Sequence, residues 1–294
     1  MDQAEQLRNI IKQQNMKPHS ARVITVTSGK GGVGKSNVSV NLAIQMSRMG
    51  KKTVILDADF GLANIEIMLG IRPRYNLADM MFRGREVKDI ICTGPEGIGF
   101  ISGGSGVSEL ATLDNASIKL LISELVKLDQ MYDVVIIDTG AGITDSVMEF
   151  VMMSPEVVLV VTPEPTSITD SYSLLKVLRR KNSFNPLYKT IHVVANRVEN
   201  EAEGAEIFHK IDTVSSKFLN TKLSFLGAVL QDKNASMAVI EQKPLVQAYP
   251  GTTATKGICQ LVNRLSDDTV EESKKKEGIA RVFIDFFRSK KRIR

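Results

Sequence analysis

The stretch "VTSGKGGVGKSNVSVNLA", Val26 to Ala43, decides the fold. Gly29 to Ser36 fits G-x-x-x-x-G-K-[ST], and the motif stands between an apolar β-run and a helical pattern, where its mechanism requires it. Gly31, Gly32 and Gly34 let backbone amides approach phosphate oxygens with no Cβ in the way. The helix that opens here adds the positive end of its dipole. Gly29, Lys30, Gly31, Gly32, Val33, Gly34, Lys35 and Ser36 are therefore the candidate nucleotide contacts. Lys35 is expected to reach the β- and γ-phosphates, and Ser36 to offer its hydroxyl to Mg²⁺. Lys30 is a second positive charge that a cradle for one nucleotide does not need.

Outward from the loop, apolar runs alternate with helical stretches. The runs are "VITVTS" (23–28), "TVILDAD" (53–59), "IGFISG" (98–103), "DVVIIDT" (133–139), "VVLVVTPE" (157–164), "TIHVVAN" (190–196) and "FLGAVLQ" (225–231). Several are continuously apolar, the mark of strands covered on both faces in a parallel sheet. Gly50 is placed to end the first helix. The pattern predicts one α/β domain over 22–268, a doubly wound, mostly parallel sheet of the P-loop NTPase kind. A polar extension (1–21) precedes it. A charged linker (269–278) and a short amphipathic element (279–294) follow.

The 294 residues carry a net charge of +5, unevenly placed. Lys274 to Arg294 holds nine basic and two acidic residues, net +7, which leaves −2 for the rest. The chain has two cysteines, Cys92 and Cys259, far apart and outside any CxxC. That argues for a reducing compartment and against a disulfide framework or metal knuckle, with both thiols expected to be buried. The N-terminus lacks the apolar core of a secretory signal, and no apolar run approaches a membrane span.

Phosphoryl transfer also needs carboxylates at the metal and near the attacking water. "ILDADFGLAN" ends a strand with Asp57 and Asp59, and "VVIIDTGAG" ends another with Asp138. In a doubly wound sheet the C-terminal strand ends converge on the ligand crevice. Asp57 and Asp138 are candidates for holding Mg²⁺ or its waters, and Asp59 for orienting water.

"SGKGGVGKS", "DADFGLAN" and "VIIDTGAG" together resemble the deviant phosphate-loop ATPases of the MinD/ParA type, over about residues 22–265. The resemblance implies a slow, switch-type ATP hydrolase. In that family the early lysine, here Lys30, reaches across an ATP-dependent homodimer to the other subunit's phosphates. It also implies that Asp59 polarises the water, with Asn64 nearby, and that Thr139 to Thr144 sense the γ-phosphate. Asn196 and Arg197, and more distantly Leu230, Gln231 and Asp232, would hold the adenine. The cluster-ligating cysteines and the tyrosine-rich tail of other branches have no counterpart here.

The two ends refine the resemblance. At 100° per residue, Ile279, Val282, Phe283, Phe286, Phe287 and Ile293 fall within an arc of about 140°. Aromatics on one face, with lysines and arginines at the ends, read as an interfacial anchor for an anionic membrane surface. The same helix could dock on the body's own groove, alone or in alternation with the membrane. Nucleic acid is the poorer partner, because phenylalanines do not serve a phosphate contact. At the other end, "DQAEQLR" resembles the N-terminal motif of the flagellar-number regulators known as FlhG, YlxH or FleN. That implies contact of Asp2, Gln3, Ala4, Leu7 and Arg8 with an FlhF-type GTPase, at the inner face of the cell membrane. A DNA-segregation ATPase and an ATP-switched adaptor with negligible turnover are the alternatives.

Overall fold

The computed structural model describes residues 20–59, 64–104, 115–181, 189–267 and 278–291. The expected N-terminal contacts, linker residues 269–277 and Ile293 lie outside them; Gly278, expected in the linker, opens the last helix. Eight strands form one sheet in the order β3-β4-β2-β5-β1-β6-β7-β8. They are β1 (Arg22–Thr27), β2 (Thr53–Ala58), β3 (Cys92–Thr93), β4 (Gly99–Ser102), β5 (Val134–Thr139), β6 (Glu156–Val161), β7 (Thr190–Val198) and β8 (Ser224–Leu230). Every pairing is parallel except the short edge strand β3, which runs antiparallel to β4. The seven apolar runs are the seven parallel strands; β3 was not expected.

The helices, in chain order, are α1 (Lys35–Arg48), α2 (Asn64–Leu69), α3 (Leu77–Phe82), α4 (Val87–Ile90), α5 (Asn115–Met131), α6 (Asp145–Met153), α7 (Pro165–Arg180), α8 (Glu201–Leu219), α9 (Lys233–Ile240), α10 (Leu245–Ala248), α11 (Thr253–Asp267) and α12 (Gly278–Lys291). Strands β2, β5 and β6 are buried along their whole length, as a parallel sheet between helices demands. On one face, α1 and α11 pack with Ile24, Val26, Ile55 and Ile136. On the other, α5 and α12 cover Val23, Val135 and Ile137, while α7 and α8 cover Leu159, Val193 and Ala195. Gly50 ends α1 as expected, at φ +83° with its N–H on the Ser47 carbonyl. Cys92 and Cys259 are half-buried, not fully buried as expected; one lies on the edge strand and the other on the flank of α11.

The C-terminal helix is docked. The sequence pattern left its apolar face to a membrane, to the body's own groove or to both in alternation, and here that face closes the body. Ile279, Val282, Phe283 and Phe287 are buried against α5, α6 and β1. Phe283 meets Phe150 edge to face, with centroids 5.8 Å apart. Ala280 and Ile284 are buried too, so the groove wraps a wider arc than the aromatic stripe. Asp129, near the end of α5, accepts the Ile279 and Ala280 N–H groups at 2.7 and 3.2 Å and so caps the helix. Gly278 opens the helix at φ +71°, where a Cβ would stand 2.5 Å from the Asp129 carboxylate. The physical reason is coverage. Without α12, Val23 and its neighbours on the central strands would be open to water, and each large side chain buried contributes about 1.5–3 kcal/mol. The side chain of Phe286 lies outside the described residues, as do those of residues 288–291.

Candidate functional site

The loop between β1 and α1 is shaped by backbone that only glycine adopts easily. Gly32 and Gly34 have φ of +78° and +90°. Gly34 is the N-cap of α1 and supplies no side-chain cap, so the first N–H groups of the helix are left for a ligand. A Cβ on Gly34 would stand 2.5 Å from Asn196 Nδ2, and Asn196 donates that amide to the Val33 carbonyl at 2.7 Å. Gly29 is pressed on α7, where a Cβ would lie 2.3 Å from the Asp170 backbone. A phosphate would therefore meet a loop already fixed from two sides.

Register brings the carboxylates together. Asp57 and Asp138 are paired positions on adjacent strands β2 and β5, and Asp138 is also level with Val26, two residues before Ser28 and the loop. Asp138 is fully buried and gathers three donors. Ser36 Oγ reaches Oδ2 at 2.6 Å, Ser39 Oγ reaches Oδ1 at 2.7 Å, and the Lys35 ammonium stands 3.4 Å from Oδ1. Ser39 was not singled out from sequence. Its signal is helical spacing, since it follows Ser36 by three residues on one face.

Asp57 is 4% exposed and accepts the Asp59 N–H at 3.0 Å. Burial pushes its carboxyl up to about 7, against the pull of that N–H and with help from the Asp138 and Asp59 charges. Burial also raises Asp59, with Lys35 opposing. Asp59 Oδ1 lies 3.3 Å from where Gly140 would carry a Cβ, so the glycine lets the carboxylate sit close against the β5–α6 loop. That loop is tied to the phosphate loop. Gly142 N–H donates to the Ser28 carbonyl at 3.0 Å, and Thr139 Oγ1 to the Val26 carbonyl at 3.1 Å. Asn64 opens α2.

Lys30 goes elsewhere. Its ammonium donates to Glu164 Oε2 at 2.5 Å and to Thr166 Oγ1 at 2.9 Å, at the start of α7. Both charged side chains are open to solvent, 36% and 54% exposed. The Lys30 ammonium holds the Glu164 carboxyl below its ordinary value. Nothing in the sequence marks Glu164 as its holder, because the two are far apart along the chain.

Asn196, Arg197, Leu230 and Gln231 share one corner, since Asn196 pairs with Val229 and Val198 with Leu230 across β7 and β8. A bulge there sets exposed Arg197 at φ +59°, a backbone conformation that costs about 1 kcal/mol or more outside glycine. The Arg197 Nε stands 3.9 Å from the Gly34 Cβ position. Two of the expected base contacts have structural duties: Asn196 braces Val33, and Asp232 caps α9 by accepting the Asn234 N–H at 2.9 Å.

The donors around Asp138 suit a hard cation. Ser36, Asp57 and Asp138 offer only oxygen, which fits Mg²⁺. Among the described residues no group of three or more His, Cys, Asp or Glu gathers at one point, so phosphate and water oxygens would complete the shell.

A glycine nest at a helix start, a buried lysine and two strand-end carboxylates on a doubly wound sheet define a P-loop nucleotide-binding protein. The family model described as ParA, NUBPL iron-transfer P-loop NTPase, matches residues 19–266, and the chain belongs to that family of P-loop ATPases. It is 38% identical to the antiactivator FleN of Pseudomonas aeruginosa over 83% of this chain and 87% of that one. It is 32% identical to the flagellum site-determining protein YlxH of Helicobacter pylori over 96% and 97%. The fold is that of the septum site-determining protein MinD of Pyrococcus horikoshii, solved with Mg-ADP. The TM-score is 0.65 at 23% identity, over 86% of this chain and 98% of that one.

Proposed function

We propose that the protein is a MinD-like ATPase that dimerises on Mg-ATP, binds the cytoplasmic membrane surface and sets flagellum number or placement through an FlhF-type GTPase. The observation that carries the reading is the division of labour between the loop lysines. Lys35 lies within the cradle, and Lys30 stands at the solvent edge, held by an exposed pair with Glu164 that a second molecule could replace. The flagellar assignment draws on the likeness to YlxH, a flagellum site-determining protein by name, and to the antiactivator FleN.

In this reading Lys35 and the loop amides bind the triphosphate, and Ser36, Asp57 and Asp138 would hold Mg²⁺. The ion would supply neutralisation of phosphate charge. Asp59 orients the attacking water beside Gly140. Lys30 leaves Glu164 and contacts the nucleotide of the partner, so loss of the γ-phosphate lets the subunits part. Asn196, Arg197, Leu230, Gln231 and Asp232 border the base. Asp2, Gln3, Ala4, Leu7 and Arg8 engage the GTPase.

Membrane binding needs α12 to exchange one apolar environment for another. Lipid returns the burial that the groove of α5 and α6 provides, so the exchange is close to balanced and small effects tip it. Two helices in a dimer add avidity. Deleting residues 274–294 would strip the core as well as the anchor, so a gentler change is the sounder test. Asp129→Ala removes the cap of docked α12 and should weaken docking by about 1 kcal/mol. Vesicles containing phosphatidylglycerol should sediment the wild-type protein with ATP more than with ADP. The variant should raise the ADP-state fraction about five-fold; no sedimentation in any state would refute the membrane part of the reading.

A further inference from the structure

The segment from Arg72 to Lys88, joining α2 to α4 through α3, carries more positive charge than its acids answer. Arg72, Arg74, Arg83, Arg85 and Lys88 are all exposed. The acids are already engaged. Asp79 closes the capping box of α3 and pairs with Arg83 at 2.8 Å. Asp89 closes the box of α4 on Glu86, and Glu86 pairs with Lys88 at 2.8 Å. Among the described residues, Arg72, Arg74 and Arg85 have no carboxylate within ion-pair distance.

Two of the three are gathered on one ring. The guanidinium carbons of Arg74 and Arg85 lie 5.2 and 4.2 Å from the centroid of Tyr75. Tyr75 is half-buried and packed on the core, so the platform is anchored. Two like charges on one aromatic repel each other, and an anion between them relieves that repulsion. Guanidinium is planar, weakly hydrated and suited to two-pronged contact with phosphate oxygens. Phe82, the last residue of α3 and three before Arg85 in the chain, is 48% exposed.

The position of the cluster matters as much as its charge. α3 and α4 pack on α5, and α5 carries α12 on the same face of the sheet. The segment that carries the cluster therefore lies on the same face of the sheet as the helix whose apolar face suits a bilayer. We propose that Arg72, Arg74 and Arg85, with Phe82, form a second membrane contact that takes the phosphate of anionic lipid headgroups beside α12. This rests on the membrane reading above. A nucleic-acid backbone carries the same phosphate chemistry. The amphipathic helix on the same face favours lipid, since its apolar side has no use on a phosphate backbone.

The test uses the full chain with ATP, on vesicles of phosphatidylglycerol with phosphatidylcholine and on vesicles of phosphatidylcholine alone. Each arginine near an anionic leaflet contributes about a five-fold factor in binding. The triple variant Arg72→Gln/Arg74→Gln/Arg85→Gln should lose about 100-fold on the anionic vesicles and nothing on the neutral ones. Arg72→Gln alone should lose about five-fold. ATP hydrolysis in solution should not change in either variant, because these side chains are exposed and outside the loop site. Equal binding of wild type and triple variant to anionic vesicles overturns this inference and spares the membrane reading. Failure of the wild type to bind any vesicle overturns both. A triple variant that keeps its vesicle binding but loses retention of double-stranded DNA in a gel assigns the cluster to nucleic acid instead.

Discussion

Lys35 and Lys30 belong to one loop and stand in opposite electrostatic worlds. Lys35 is 6% exposed and faces Asp138, itself fully buried and held by Ser36 and Ser39. Lys30 lies in water against Glu164 and Thr166. A buried cation that loses its partner leaves an unpaired charge, at a cost of about 3–5 kcal/mol. An exposed pair is worth about 0–1 kcal/mol. The inner lysine is thus fixed in place, and the outer one is held lightly enough to change partners. One glycine-rich loop can therefore both bind and signal, provided its two charges differ this much in burial.

The strongest way to break the contrast is at the inner end. Lys35→Ala should reduce ATP affinity by about 10³-fold, with hydrolysis lost, because a buried charge-assisted contact disappears. Isothermal titration would measure it, and an affinity within ten-fold of wild type would mean that the loop amides alone carry binding. Lys30→Ala should do the reverse. ATP affinity of the monomer should stay within a few-fold, while dimerisation weakens by about 10²-fold or more, two contacts being lost per dimer. Sedimentation velocity with a non-hydrolysable ATP analogue separates the cases; an intact dimer would remove Lys30 from the interface.

How much of this was legible in the sequence follows from how local each feature is. The seven parallel strands are apolar runs whose burial on both faces the composition alone announces. Asp57, Asp59 and Asp138 end such runs, so their convergence follows from topology. β3 was illegible because two residues on a sheet edge carry no periodicity. Ser39 could have been found from its turn of α1. Glu164 could not, because its link to Lys30 joins separate strand ends. The docking of α12 was open for a deeper reason: a helix with one apolar face looks the same whether lipid or α5 and α6 will cover it. Asn196 shows a further limit. The family resemblance implied a base contact, and only three-dimensional proximity reveals that its amide braces Val33.

The carboxylates around Lys35 sharpen the contrast through pH. Asp57 has a folded value near 7 against an ordinary 3.8, so the folded chain binds a proton that the unfolded chain has released between those values. Protonated Asp57 favours the fold, and that contribution is present in full below pH of about 4 and is lost as the pH rises to about 7. Without nucleotide, wild-type stability should fall across this window relative to Asp57→Asn by up to a few kcal/mol, an upper bound given the coupling to Asp138 and Asp59. Urea unfolding at several pH values would show it. Parallel curves for the two proteins would mean that water reaches Asp57 and burial does not set its charge.

The smallest effect probes the outer end. Glu164→Gln keeps the shape of the side chain and removes the charge that holds Lys30. If the pair must open before Lys30 can reach another subunit, the lost attraction returns as tighter ATP-dependent association. A symmetric dimer opens two such pairs, so the gain counts twice, and association should tighten several-fold at low salt. Added salt should erase the difference between variant and wild type, because an exposed pair is screened over about 10 Å at 0.1 M. The sign is informative as well as the size. Weaker association in the variant would mean that Glu164 itself contacts the other subunit, and the lysine would then be aligned by its carboxylate rather than restrained by it.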